Sequence, residues 1–136
     1  MGTASELLEH TAEVKLRVRA PSFGELAAEA GRAVARIELG RVPPHAEGPW
    51  RELEIGSADR EALLVDWLNE LIFFAETERW VATEFEVQSA TDTLLRVRAR
   101  GAIVEEAPAR IKAATFHGLR IVAVPGGLQA EVIFDV

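Results

Sequence analysis

The sequence predicts an α+β fold: a single domain of two layers, residues 1–136, with two amphipathic helices packed on a mostly antiparallel sheet. Three observations carry that prediction. Apolar residues recur at helical spacing in only two stretches. Elsewhere they alternate with charged residues, the period of a half-buried strand. In the second half of the chain, the alternating runs come in pairs joined by turn residues, which suits hairpins.

Taken in order, Val14, Leu16 and Val18 alternate with Lys15, Arg17 and Arg19, and Pro21 ends this strand. Ser22 and Glu25 have capping-box spacing, so each side chain satisfies a free backbone donor at a helix start. Phe23, Leu26, Ala27, Ala30, Val34 and Ile37 form the stripe of that helix, and Gly40 closes it. A loop rich in proline and glycine follows over residues 41–50, then a short strand over residues 51–55. Ser57 is the expected cap of a second helix over residues 58–75, with Leu64, Trp67, Leu68, Leu71 and Ala75 as its buried stripe. Trp67 and the Phe73-Phe74 pair read as packing residues. Two hairpins complete the chain, one turning at Ala90-Thr91-Asp92 and one at Pro125-Gly126-Gly127, with a bulge expected at Gly118.

Composition narrows the function. A net charge of −7 argues against direct nucleic-acid binding, because phosphate contact needs a basic surface. No apolar run is long enough to span a bilayer and no signal-peptide core opens the chain, so the expected location is the cytoplasm. Without cysteine there is no thiolate ligand and no cysteine nucleophile. Lysine and aspartate are scarce, 2 and 4 residues against 13 arginines and 18 glutamates, which draws attention to Lys112 and Asp135.

The chemistry gathers at the two ends of the chain. His10-Thr11-Ala12-Glu13 leads into the first alternating strand, and Phe134-Asp135-Val136 ends the last one. If those strands lie side by side, Glu13, Asp135 and the carbonyl or terminal carboxylate of Val136 share one small volume. Negative groups so placed repel one another unless a cation joins them. Solvated acids at strand ends fit the residues alone equally well. The donors are all oxygens, which suit Ca²⁺ first and Mg²⁺ or Mn²⁺ as alternatives, and do not suit a tetrahedral structural zinc. Lys112 interrupts an otherwise apolar strand pattern. His10 and His117 read as structural histidines rather than ligands, and His45 as solvated. Asp66 and Glu70 stand one helical turn apart on a face read as exposed.

Four segments, in order and spacing, resemble the archease family: His10 to Glu13; Leu63-Leu64-Val65-Asp66-Trp67-Leu68-Asn69-Glu70-Leu71; Ile111-Lys112-Ala113-Ala114-Thr115-Phe116-His117; and Val132-Ile133-Phe134-Asp135-Val136. The resemblance implies a cytoplasmic protein that activates an RtcB-type RNA ligase in tRNA splicing by promoting its GTP-dependent guanylylation and multiple turnover. It is then a cofactor of an enzyme and not itself an enzyme. The resemblance also places metal ligands at Glu13, Asp135 and a main-chain oxygen of Val136, and a functional lysine at Lys112. Glutamate at position 13 replaces the family's usual aspartate and extends the carboxylate by one methylene. Two other functions compete: a generic chaperone-like interaction module, and a small metal-dependent hydrolase with Glu13 or Asp66 as base. Against the hydrolase stands the absence of a phosphate-cradling glycine loop and of a nucleophile–base constellation.

Overall fold

Neither helix keeps a fully polar face, and this decides the architecture. The computed structural model describes residues 2–10, 13–41, 43–108 and 110–136, with residues 8–10 described in their backbone only. In chain order the elements are β1 (Ala4–His10), β2 (Glu13–Ala20), α1 (Phe23–Leu39), β3 (Glu47–Gly56), α2 (Arg60–Glu78), β4 (Trp80–Ala90), β5 (Leu94–Ile103), β6 (Ala113–Val124) and β7 (Gly127–Asp135). In α1 only Glu25 and Arg36 are exposed, and in α2 only Asp66, Phe73 and the last three residues. A helix apolar on most sides must be covered on more than one side.

The α+β class and the antiparallel pairing expected from the sequence are both present, but the strands divide into two sheets rather than one. The first has the order β1-β2-β7-β6 and the second β3-β5-β4. Helix α1 packs on β1, β2 and β7 from the first sheet and on β4 from the second, while α2 packs on β6 and on β3, β4 and β5. The helices therefore form a middle layer. Small residues on α1 make the close approach possible: a Cβ on Gly31 would stand 2.9 Å from the Phe85 ring. Trp67 fills the space between the helices, donating its indole N–H to the Ala27 carbonyl at 2.9 Å and meeting Phe85 edge to face.

Several local expectations shift: β3 begins at Glu47, inside the stretch expected as a loop, and α2 runs from Arg60 to Glu78. Strand β1 is additional: its sequence, Ala-Ser-Glu-Leu-Leu-Glu-His, lacks alternation, and its pairing with β2 overrides that weak local preference. Asp59, not Ser57, caps α2, accepting the Ala62 N–H at 2.8 Å, and Ser57 instead hydrogen-bonds Asp66. Ser22 and Gly40 cap α1 as expected, the glycine at φ 67°. Gly118, at φ 65°, sits in a bulge of β6. Between the pairs Thr115–Ile133 and Arg120–Glu131, β6 carries four residues where β7 carries one.

Candidate functional site

The first sheet has one face on the helices and one turned away. Leu16 and Val18 of β2 and Ala130, Val132 and Phe134 of β7 are buried against the helices. Side chains alternate along a strand, so Glu13, Lys15, Arg17 and Arg19 share the opposite, outer face with Asp135, Ile133, Glu131 and Gln129. Glu13 lies directly opposite Asp135. Facing residues of an antiparallel pair project to the same side, with Cα atoms roughly 4.5–5.5 Å apart. The two acids from opposite ends of the sequence thus occupy one row. In the backbone that row continues to His10 on β1 and to Ala113 on β6.

The neighbouring rows show what an ordinary charged face looks like. Arg17 stands between two glutamates, its Nε 2.8 Å from Glu131 and its Nη1 3.4 Å from Glu6. The hydrogen bond to Glu131 raises the guanidinium pKa further, so this cation stays charged. Lys15 Nζ is 3.9 Å from the other Glu131 oxygen. Among the described residues no ion pair reaches the Glu13 or Asp135 carboxylate. Nor, among the described residues, does a cluster of three His, Cys, Asp or Glu side chains form. Ile133, next along β7 on this face, is only 7% exposed. The bulge helps to cover it, since a Cβ on Gly118 would stand 4.0 Å from Ile133 Cδ1.

Lys112 meets the row from the β6 side. It lies one residue before β6 rather than inside a strand, and its N–H donates to the Asp135 carbonyl at 2.8 Å. Its side chain is exposed. The preceding Ile111 N–H goes to a helix side chain, Glu38 Oε1, at 2.9 Å. On the other side, Ala114 gives its N–H to Asn69 Oδ1 at 2.8 Å and accepts from Asn69 Nδ2 at 3.1 Å. Glu38 is 3% exposed, its second oxygen has no partner among the described residues, and burial pushes its pKa up to about 7.

Glu38 and Asn69 were not singled out as functional from the sequence. A signal existed for each. Glu38 falls four residues after Val34, on the buried stripe of α1, and Asn69 is the only asparagine in the chain. Val136 follows Asp135 directly and is 42% exposed. Thr11, Ala12 and the His10 side chain lie outside the described residues. His117 is exposed on the bulge and His45 in the proline loop, both away from strand pairing. Asp66 and Glu70 line a shallow cleft with Glu54 and Asn69, and Asp66 is occupied by the Ser57 hydroxyl.

With this geometry in place, comparison with known proteins gives consistent matches. The model of the Archease protein family (MTH1598/TM1083) matches residues 6–136. Protein archease of Methanosarcina mazei is 30% identical over 143 residues, spanning 99% of this chain and 97% of the relative. Protein archease of Methanopyrus kandleri is 31% identical, spanning 96% and 98%. The solution structure of Methanobacterium thermoautotrophicum protein 1598 superposes with a TM-score of 0.74 at 29% identity, over 97% of this chain and 98% of that one. The crystal structure of an archease, possible chaperone, from Thermotoga maritima shares the fold, with a TM-score of 0.65 at 21% identity over 96% of each chain.

Proposed function

The chain belongs to the archease family, and from that premise we propose that it is a metal-dependent protein cofactor of an RtcB-type RNA ligase. It promotes the GTP-dependent guanylylation of the ligase and sustains its turnover in tRNA splicing, and performs no catalysis itself. One observation carries the metal part of this reading: Glu13 and Asp135 face each other in a sheet whose adjoining charged rows are balanced. Like charges directly opposite destabilise a strand pair, so the row fits a bound cation better than an empty face.

The donor set fits a hard cation. Glu13 and Asp135 supply carboxylate oxygens and Val136 a main-chain oxygen, the ligand chemistry of Ca²⁺, with Mg²⁺ and Mn²⁺ as alternatives. The ion would supply positive charge and open coordination positions at this end of the sheet. Lys112, held beside Asp135 through the backbone, presents an exposed ammonium to the ligase or its phosphates.

The test combines the purified protein with an RtcB-type ligase, GTP and each divalent ion in turn, and measures guanylylated ligase over many turnovers. Stimulation that needs both this protein and an ion is the expected result. GTP turnover or covalent nucleotide on this chain without the ligase would replace the cofactor reading with an enzymatic one.

A further inference from the structure

We infer that Asn69 is a positioning residue for Lys112: its carboxamide replaces the missing neighbour of edge strand β6 and fixes residues 111–114 against Asp135. The inference rests on the role proposed above for Lys112 and Asp135.

Strand β6 is the outermost strand of its sheet, so one of its edges has no strand partner. An unpaired edge leaves backbone donors and acceptors free and its register loosely held. At Ala114 both groups are satisfied by the one side chain of Asn69, at 2.8 and 3.1 Å. A carboxamide offers a donor and an acceptor side by side on one planar group. An aspartate would set an oxygen against the Ala114 carbonyl, and leucine would offer neither contact. Asparagine is also a poor residue for the middle of a helix. That the chain's only asparagine stands in the middle of α2 therefore calls for a compensating role, and the Ala114 pair provides one.

The rest of the stretch is anchored from the other helix. Glu38 of α1 takes the Ile111 N–H at 2.9 Å, and between these tethers the Lys112 N–H reaches the Asp135 carbonyl at 2.8 Å. Among the described residues the Lys112 ammonium makes no ion pair. Its location is therefore set by its backbone, and the backbone by Asn69 and Glu38. A side chain that merely glued α2 to the sheet would stabilise all of β6 alike. A positioning residue acts on the first residues of the strand alone.

The test compares wild type, Asn69→Ala, Asn69→Asp and Lys112→Ala by three measurements: thermal unfolding, residue-resolved amide exchange, and a titration of ligase guanylylation well below the melting temperature. Asn69→Ala should speed exchange at Ala114 at least tenfold, leave residues 121–124 unchanged, and reduce activation at least tenfold. Asn69→Asp keeps the acceptor for the Ala114 N–H and should fall between. If Asn69→Ala does not fold, Asn69→Asp decides alone, with at least a threefold loss of activation expected. Wild-type activation by a folded Asn69 variant, or exchange that rises evenly along β6, would overturn the inference. Lys112→Ala separates the two levels. Full activation by that variant removes the lysine from the proposed function, whereas an inactive Lys112→Ala beside an active Asn69→Ala removes only the positioning role.

Discussion

The outer faces of the two sheets both pair arginines with glutamates, and the first also sets two acids in one row. On the second sheet, Arg98 reaches Glu86 at 3.1 Å and Arg100 reaches Glu84 at 2.8 Å, and both guanidiniums also lie about 5 Å from the Trp50 ring. On the first sheet, Arg17 between Glu6 and Glu131 repeats that arrangement. Opposite charges so paired add about 0.2–1 kcal/mol each, and like charges directly opposite subtract similar amounts. Only the first sheet sets one acid opposite another, at Glu13 and Asp135. The contrast teaches where to look: the facing acids Glu13 and Asp135 are the departure from paired charges on which the proposed cation site rests.

The comparison breaks most visibly in activity. Lys112→Ala and Asp135→Ala should each abolish ligase activation, while in chelator these exposed changes alter stability by no more than about 0.5 kcal/mol. Guanylylated ligase under multiple turnover, with circular dichroism as the fold control, checks this. The same substitutions in the second sheet, such as Glu86→Ala, should leave activation untouched.

Calcium sharpens the contrast thermodynamically. At 100 times its dissociation constant, an ion bound only by the folded state stabilises it by about 2.7 kcal/mol. Wild type should gain that stabilisation in calorimetry, and Glu13→Gln and Asp135→Asn should not. In chelator the order reverses, with both variants a few tenths of a kcal/mol more stable than wild type because the facing charges are gone.

Between the sheets, Glu38 has no charged row to join, and its pKa is pushed up to about 7 from the ordinary 4.5, first by burial and then by Glu76, against the Ile111 N–H and Arg110. The folded state thus prefers the neutral form. That preference stabilises fully below pH 4.5 and is lost as pH rises through about 7. Wild type should lose up to roughly 3 kcal/mol more than Glu38→Gln across that window, in urea unfolding followed against pH. An equal pH dependence in both proteins would show that Glu38 is not the group titrating.

A last test copies the odd row into the second sheet. Arg100→Glu sets a glutamate opposite Glu84 and should cost about 0.4–2 kcal/mol. Calcium should not restore it, since nothing there corresponds to Lys112 or Val136. Calcium rescue of Arg100→Glu would mean that two facing acids suffice for a site.

Much of this was legible in the sequence. Alternation gave β2 and the last two hairpins, and the Ser22 and Gly40 caps bounded α1. The meeting of Glu13 with Asp135 could be anticipated because each ends an alternating strand on the same parity as that strand's other outer-face residues. Strand β1 was not legible, since residues that favour helices take strand form there only because β2 offers an edge. The division into two sheets was equally hidden: alternation reports that one face of a strand is buried, not which strands share a sheet. Glu38 and Asn69 stood out by place and rarity, but their roles escaped because their partners are backbone groups, which carry no sequence signature.

The bulge of β6 gives the molecule slack. Four residues, Phe116 to Leu119, span what one residue spans on β7, so the strand's two halves need not keep a common count. A residue gained or lost in the loop tip would change the size of the bow without sliding Lys112 along Asp135. The segment that carries the lysine is in this sense mounted separately from the hairpin that follows it, and the hairpin can drift in length and sequence while the mounting stays true.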